Sequence, residues 1–376
     1  MSERSSHPFR MWDAILEAPE AVRRCLQGKT PEAARQASAK LLELGCDRVF
    51  LLGCGTSNYA AQSTAHALVE IAGIDADAYD SFEFSQYRLG LIRKSTAVIT
   101  FSHSGATRAT VDAARLVRQA GAFTVALTDF EESLLAVESD FLVPVGGGRE
   151  NVEPKTRSYL NTVVVAYQIA AFLSESMGDP GLDRKAEAGK YLGALNLIPP
   201  ALERSLALEP AVRQLAEKFA GVKRVFVIGS GPNRTTASEI ALKFKEAVLL
   251  ASEGFGAEEA FHGPIASLNE DTLVIGVSTP GPGYDKVGHF LKAVAHMGYP
   301  AVSVTPEPYD LDGVDTIRVN TDGIPEIFSG TVLVYPLYML AYFSALARGL
   351  NPDIFRVGDE VFHEAMALVP SISYKV

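Results

Sequence analysis

Hydrophobic positions along this 376-residue chain fall into short, nearly unbroken runs separated by longer stretches with helical spacing. The runs VFLL at 49–52, AVITF at 97–101 and FTVAL at 123–127 are apolar toward both faces, as strands of a doubly covered parallel sheet are. Further strands are predicted at 76–80 and 141–145. Helical periodicity occupies 59–72 and 107–120, and a long apolar helix is predicted at 158–174. Strands alternating with helices predict βαβ units with right-handed crossovers. Ahead of them, 11–26 and 31–44 read as helices, with Pro19 expected to break the first.

The whole pattern then returns. DRVFLLGCGTSN at 47–58 recurs as KRVFVIGSGPN at 223–233, 176 positions later. Ser102 follows Gly53 by 49 positions, Ser278 follows Gly229 by 49, and both serines end apolar runs. Strands are predicted again at 225–228, 273–277, 301–304 and 316–319, with helices at 235–250, 285–297 and 330–347. The expected fold is α/β: two tandem flavodoxin-like three-layer (αβα) domains with parallel sheets and pseudo-two-fold symmetry. Residues 1–45 are expected as a helical segment, 46–178 as the first domain and 179–210 as a linker with helical spacing at 184–197. The second domain is expected at 211–350, followed by a tail at 351–376 without a counterpart.

Composition narrows the function. An apolar share of 47% with 21% charged residues fits a soluble globular protein. A net charge of −11 without a basic stripe argues against nucleic acid, and any bound anion must be held by a local device. Cys25, Cys46 and Cys54 form no CxxC pair, and the first residues lack an apolar leader, so a cytoplasmic location with reduced thiols is expected. The stretch 330–347 is long enough for a membrane, but it carries Pro336 and has a repeat partner at 160–173. A buried helix is therefore expected, with no membrane. The seven histidines show no ligand spacing, so no metal is expected.

The loop after the first strand, with Gly55, Thr56 and Ser57, opens a helix whose amides suit an anion. Asn58 stands where a dinucleotide fingerprint needs its third glycine, so no cofactor is expected. In FSHSGAT, Ser102, Ser104 and Thr107 offer three hydroxyls at a helix start, with His103 among them, and this suits a phosphate monoester. A helix cap alone would need one hydroxyl. The matching loop from Ser278 loses donors at Pro280 and Pro282. Its half carries instead Lys243 and Glu246 on one helix face, then Glu258, Glu259 and His262. On spacing alone, the first two read as an ion pair and His262 as a turn residue.

The segments PFRMWDAILEAPEAV, GCGTSN, SFEFSQYR, FSHSGAT, LKFKE and AEEAFHGP change those weights. On them the chain resembles the tandem sugar isomerase (SIS) domain family over nearly its whole length. That family includes the isomerase half of glucosamine-6-phosphate synthase and stand-alone amino-sugar-phosphate deaminases and fructosyl-amino-acid-phosphate deglycases. The resemblance implies a sugar-phosphate substrate held at 102–107 with Thr56 nearby, Glu246 as the base between C1 and C2, and Lys243 beside it. His262 would assist ring opening from a neighbouring subunit, so a homodimer or dimer of dimers with shared sites is implied.

Three departures matter. No glutaminase domain precedes the repeats, so glutamine-fed amination is not expected. The family lysine of the tail has no match except Lys375, next to last, with Arg356 or His363 in the region instead. In VEPKTRSY at 152–159, Lys155 and Arg157 stand where the family has small residues, and they suit an acidic substrate group or else a structural ion pair. The expected activity is a deaminase or deglycase, with aldose–ketose isomerisation the alternative. A non-catalytic sugar-phosphate sensor of the same family would carry a helix-turn-helix segment, for which 1–45 is a poor candidate.

Overall fold

Apolar runs become central strands because both of their faces are covered, and the two repeats do this in the same order. In the computed structural model, which describes residues 4–177, 184–370 and 372–374, the first repeat holds β1 (Arg48–Gly53), β2 (Asp75–Asp80), β3 (Thr96–Phe101), β4 (Phe123–Thr128) and β5 (Phe141–Pro144). These form one parallel sheet ordered β2-β1-β3-β4-β5. The second repeat holds β6 (Arg224–Gly229), β7 (Ala251–Gly256), β8 (Thr272–Val277), β9 (Ala301–Pro306) and β10 (Asp315–Val319). Its parallel sheet is ordered β10-β9-β8-β6-β7, the same topology. Register repeats too: Arg48 pairs with Thr96 and Arg224 with Thr272. In such sheets the strand order reverses beside the first strand, and the crevice at the carboxyl ends there is where ligands bind. That point lies between β1 and β3 in one sheet and between β6 and β8 in the other.

The described residues form two compact units. One takes its residues from 20–150, 157–196 and 360–376, the other from 1–19, 151–156 and 197–359. Each contains one long core helix, Arg157–Ser176 or Glu326–Ala347. The second is long and apolar enough to cross a membrane, yet 89% of its apolar window is buried within the protein, as a core helix requires. Of the predicted linker, 179–183 lie outside the described residues, and the rest is mainly helical, beginning with Arg184–Leu195 and Ile198–Ser205.

Two local expectations fail for identifiable reasons. Pro19 does not break its helix, which runs unbroken over Arg10–Cys25. Proline removes the N–H that would reach the Ile15 carbonyl, and the Tyr335 hydroxyl donates to that carbonyl instead, at 2.7 Å. Strand β7 is absent from the sequence reading because ASEGFG has no apolar run. It is an edge strand paired only with β6. Gly254 within it lets the adjacent helix close in, since a Cβ there would lie 2.6 Å from the Ser238 Cα.

Each Gly-x-Gly loop is a packing device before it is anything else. A Cβ on Gly53 would lie 2.5 Å from the Ser57 carbonyl carbon, and one on Gly229 would lie 2.1 Å from the Asn233 carbonyl oxygen. The obstructing atoms are helix backbone and cannot step aside. Gly229→Ala should therefore cost about 1–3 kcal/mol of stability, seen as a lower urea midpoint. Gly221→Ala, where nothing stands within 4 Å of the new methyl, should leave the midpoint in place.

Candidate active site

At the β1/β3 crevice, Gly55 caps the helix Thr56–Ala67 with φ 54° and ψ −128°, a conformation that glycine alone adopts without strain. Thr56 and Ser57 open that helix, and the Ser57 N–H donates to the Cys54 carbonyl at 3.1 Å. Across the crevice the Ser102 hydroxyl, in a residue 2% exposed, lies 3.1 Å from the Thr107 hydroxyl and accepts from the Gly105 N–H at 3.1 Å. Ser104 accepts from the Ala106 N–H at 3.2 Å. These bonds fold the loop on itself. Thr107 stands at the cap position of the helix Arg108–Gln119 without capping it, so its hydroxyl stays with Ser102. Ser102 and Thr107 thus converge.

His103 does something different. Its Nε2 accepts from the Glu150 N–H at 3.2 Å, which leaves the proton on Nδ1, 3.9 Å from Asp129. The ring therefore fastens this loop to the segment after β5. The sequence also gave no sign of what the tail does. The Arg108 N–H donates to the Ile372 carbonyl and the Tyr374 N–H to the Ala106 carbonyl, both at 2.9 Å. Tyr374 also donates to Asp112 at 2.7 Å and lies under the Arg108 guanidinium. Residues 372–374 thereby strap the first turn of the Arg108–Gln119 helix. Lys375 lies outside the described residues. Arg356 pairs with Asp359 at 2.9 Å, and His363 packs edge-on to Phe362.

Of the two cations proposed for recognition, Arg157 is buried and already engaged. Its fork donates to the Gly147 and Arg149 carbonyls at 3.1 and 2.8 Å. Beside it the buried Glu150 carboxylate accepts from the Ser158 N–H at 2.8 Å and from the Arg157 N–H at 3.3 Å, capping the Arg157–Ser176 helix. Arg157 therefore braces a loop. Lys155 donates to the Val152 carbonyl and is partly exposed.

The second unit concentrates charge on one helix, Pro232–Ala247. Lys243 is fully buried, hydrogen-bonded to Glu246 and 3.5 Å from the equally buried Glu239. Tyr338 donates to the inner carboxylate, Glu239, at 3.0 Å. Glu246 is the member that reaches solvent, its side chain 17% exposed. Burying such a row is tolerable only because the ammonium lies between the two carboxylates. Glu239 was missed in the sequence, although its i, i+4 spacing to Lys243 was the available signal. A positioned carboxylate with a wet end and a cation at its back is suited to taking a proton from carbon, while the ammonium can meet developing oxyanion charge.

His262 lies apart from that row. It is exposed, with its side chain at 73%, and its described partner is Glu258, 3.3 Å from Nε2. The Lys286 hydrogen bond holds the Glu258 carboxyl below its usual range. Glu259 pairs with Arg234 at 3.5 Å. Among the described residues no group of three histidines, cysteines or carboxylates is placed to hold a metal ion.

The array predicts an asymmetry in stability. Lys243→Ala leaves Glu239 charged in the interior and should cost about 3–5 kcal/mol. Glu246→Gln, at the wet end, should cost less, because Lys243 keeps Glu239 as its partner. Urea unfolding of both variants measures this, and equal midpoints would mean that Lys243 compensates nothing.

Comparison with known proteins follows the repeats. The family model described as "SIS domain" matches residues 44–171 and 218–340. The chain is 29% identical over 357 residues to the glutamine–fructose-6-phosphate aminotransferase [isomerizing] of Methanothermobacter thermautotrophicus, covering 94% of this chain and 57% of that protein. It thus spans a little over half the length of that curated relative. The C-terminal domain of glucosamine-fructose-6-phosphate aminotransferase from Francisella tularensis superposes with a TM-score of 0.83 at 21% identity, covering 94% of this chain and all (100%) of that one. A glucosamine-6-phosphate deaminase from Thermotoga maritima superposes with a TM-score of 0.69 at 20% identity, covering 93% of this chain and 98% of that one. At those identities the structural likeness is one of fold.

Proposed function

The chain belongs to the SIS domain family, and from that premise we propose that it is an enzyme that releases an amine from a 6-phosphorylated ketosamine or amino sugar. The observation that carries the proposal is the Glu239–Lys243–Glu246 row, which has one solvent-facing carboxylate backed by a fully buried ammonium. An open-chain ketosamine phosphate gives its C1 proton to Glu246, and the electrons move into the C1–C2 bond to form an enaminol. Lys243 steadies the charge that gathers on the C2 oxygen. A proton returned to C2 leaves an imine at C1. Water hydrolyses that imine to an aldose phosphate and the free amine, so atoms and charge balance without a further reactant.

Phosphate is assigned to the Ser102–Thr107 loop, with the Thr56 helix start beside it, because the Ser102 and Thr107 hydroxyls lie 3.1 Å apart at the β1/β3 crevice, where the strand order reverses. Lys155 is assigned to an acidic group on the amine. Its segment, 151–156, packs in the same compact unit as Glu246 although it adjoins the first repeat in sequence. Aldose–ketose isomerisation is the second reading, since it needs only the same base, and the Methanothermobacter relative is named as isomerizing.

Incubation with fructosyl-amino-acid 6-phosphates, glucosamine 6-phosphate and fructose 6-phosphate in D2O separates these readings. Free amino acid or ammonia, together with carbon-bound deuterium, is expected. Deuterium exchange without amine release would assign isomerisation, and no exchange with any substrate would leave a binding protein. Glu246→Gln should lower turnover by roughly 10²–10⁴ while phosphate-ligand binding persists. Ser102→Ala should raise KM about ten-fold, the scale of one lost hydrogen bond to a charged group.

We assign His262 to the site of a second copy in a homodimer, where it passes a proton to the ring oxygen. Its exposure and its position outside the buried row support this. Mixing Glu246→Gln chains with His262→Ala chains in equal amounts should then restore up to about a quarter of the parent rate, since statistical pairing makes about half the dimers hybrid and each hybrid holds one intact site. Absence of rescue at every mixing ratio would keep His262 within its own chain's site.

A further inference from the structure

The β6/β8 crevice is built as the β1/β3 crevice is. Gly231 caps the Pro232–Ala247 helix at φ 55° and ψ −131°, within a few degrees of Gly55 at 54° and −128°. The Asn233 N–H donates to Ser230 at 3.0 Å where the Ser57 N–H donates to Cys54 at 3.1 Å. The loop after β8 lost donors at Pro280 and Pro282, but Thr279, Gly281 and Gly283 keep theirs. None of those three N–H groups donates to a described carbonyl.

A carboxylate occupies this crevice. Glu326, the first residue of the core helix, sends its side chain between the two loops. A Cβ on Gly281 would lie 2.5 Å from Oε2 and 2.8 Å from Oε1, and one on Gly231 would lie 3.9 Å from Oε1. Among the described residues no lysine, arginine or histidine forms an ion pair with it. The Thr279 hydroxyl, in a residue 6% exposed, has no hydrogen-bond partner at normal geometry. Burial pushes the Glu326 carboxyl up, with Thr279 acting the other way. The side chain therefore lies between the two loops and faces the Thr279 hydroxyl.

We propose that the β6/β8 crevice is a second anion site, of the class that takes a phosphate monoester, kept closed by the chain's own Glu326 carboxylate. Removing that carboxylate opens the crevice beside the Thr279, Gly281 and Gly283 N–H groups, which donate to no described carbonyl, and beside the Thr279 hydroxyl, and these donors together suit a tetrahedral oxyanion. A negative charge at that distance opposes a dianion strongly. The native chain therefore binds phosphate in one crevice only.

Calorimetric titration with inorganic phosphate tests this on the full chain. Glu326→Ala should gain one phosphate per chain, at least about ten-fold tighter than any second binding by the parent. Adding Thr279→Val should abolish the gain. A folded Glu326→Ala chain that gains no site would overturn the proposal, and so would a gain indifferent to Thr279→Val. If Glu326→Ala does not fold, Glu326→Gln removes the charge at constant length and is read in the same way. The test is separable from the functional reading, because a parent chain that binds no phosphate would count against the Ser102–Thr107 assignment. A gain on Glu326→Ala in that same chain would still support the second crevice.

Discussion

The Asn233 carbonyl oxygen lies where a side chain on Gly229 would begin, so the Pro232–Ala247 helix starts in contact with the end of β6. A second contact follows along the same helix, where Gly254 of β7 lets Ser238 approach closely. The helix is thus clamped to the sheet at its first and second turns, and its next residues, Glu239 and Lys243, are fully buried. Glu246 lies two turns beyond Glu239 and emerges at the rim. The depth of each charge is therefore fixed by backbone contact at two glycines, before any electrostatic interaction is counted. Loosening the clamp would admit water to the ammonium and weaken every interaction the low dielectric now strengthens.

The two units solve the problem of buried polar groups in different ways. Around β5 the charges are consumed by structure: Arg157 holds two carbonyls, Glu150 caps a helix and the His103 ring ties one loop to the next. Each such group is held by hydrogen bonds to the loops around it. On the Pro232–Ala247 helix the charges satisfy one another, and the row ends at a carboxylate that meets solvent. The difference decides which groups are free for chemistry. A guanidinium buried against carbonyl oxygens is out of a ligand's reach, whereas the outer carboxylate of a paired row meets solvent.

Legibility in the sequence followed the same physics. Apolar runs and glycine loops revealed nine of the ten strands within a residue or two, because burial on both faces leaves a compositional trace. Strand β7, at an edge and glycine-bearing, left none. Pro19 was misread because the compensating donor, Tyr335, comes from more than three hundred positions away. The strap formed by Ile372–Tyr374 is likewise made of main-chain bonds that any residue could supply. Arg157 showed its charge but not its partners, and carbonyl oxygens carry no signature in a sequence. Side-chain identity announces what a residue can do; only the fold says whether that capacity is already spent.

Duplication leaves two copies of one crevice, and the pair illustrates how little must change to redirect such a scaffold. The glycine caps agree to within a few degrees, and the strands hold the same register. What differs is a handful of side chains at the rim: hydroxyls at Ser102 and Thr107 on one side, prolines at 280 and 282 and the Glu326 carboxylate on the other. The cap geometry at Gly231 is kept by the packing of Gly229, whatever happens to ligand binding, since the helix cannot dock otherwise. An anion-favouring crevice is then a by-product of a sound βα joint, and an acidic side chain at the adjoining helix start is a cheap way to occupy it. Stability preserves the cradle, and chemistry needs only to decide what lies in it.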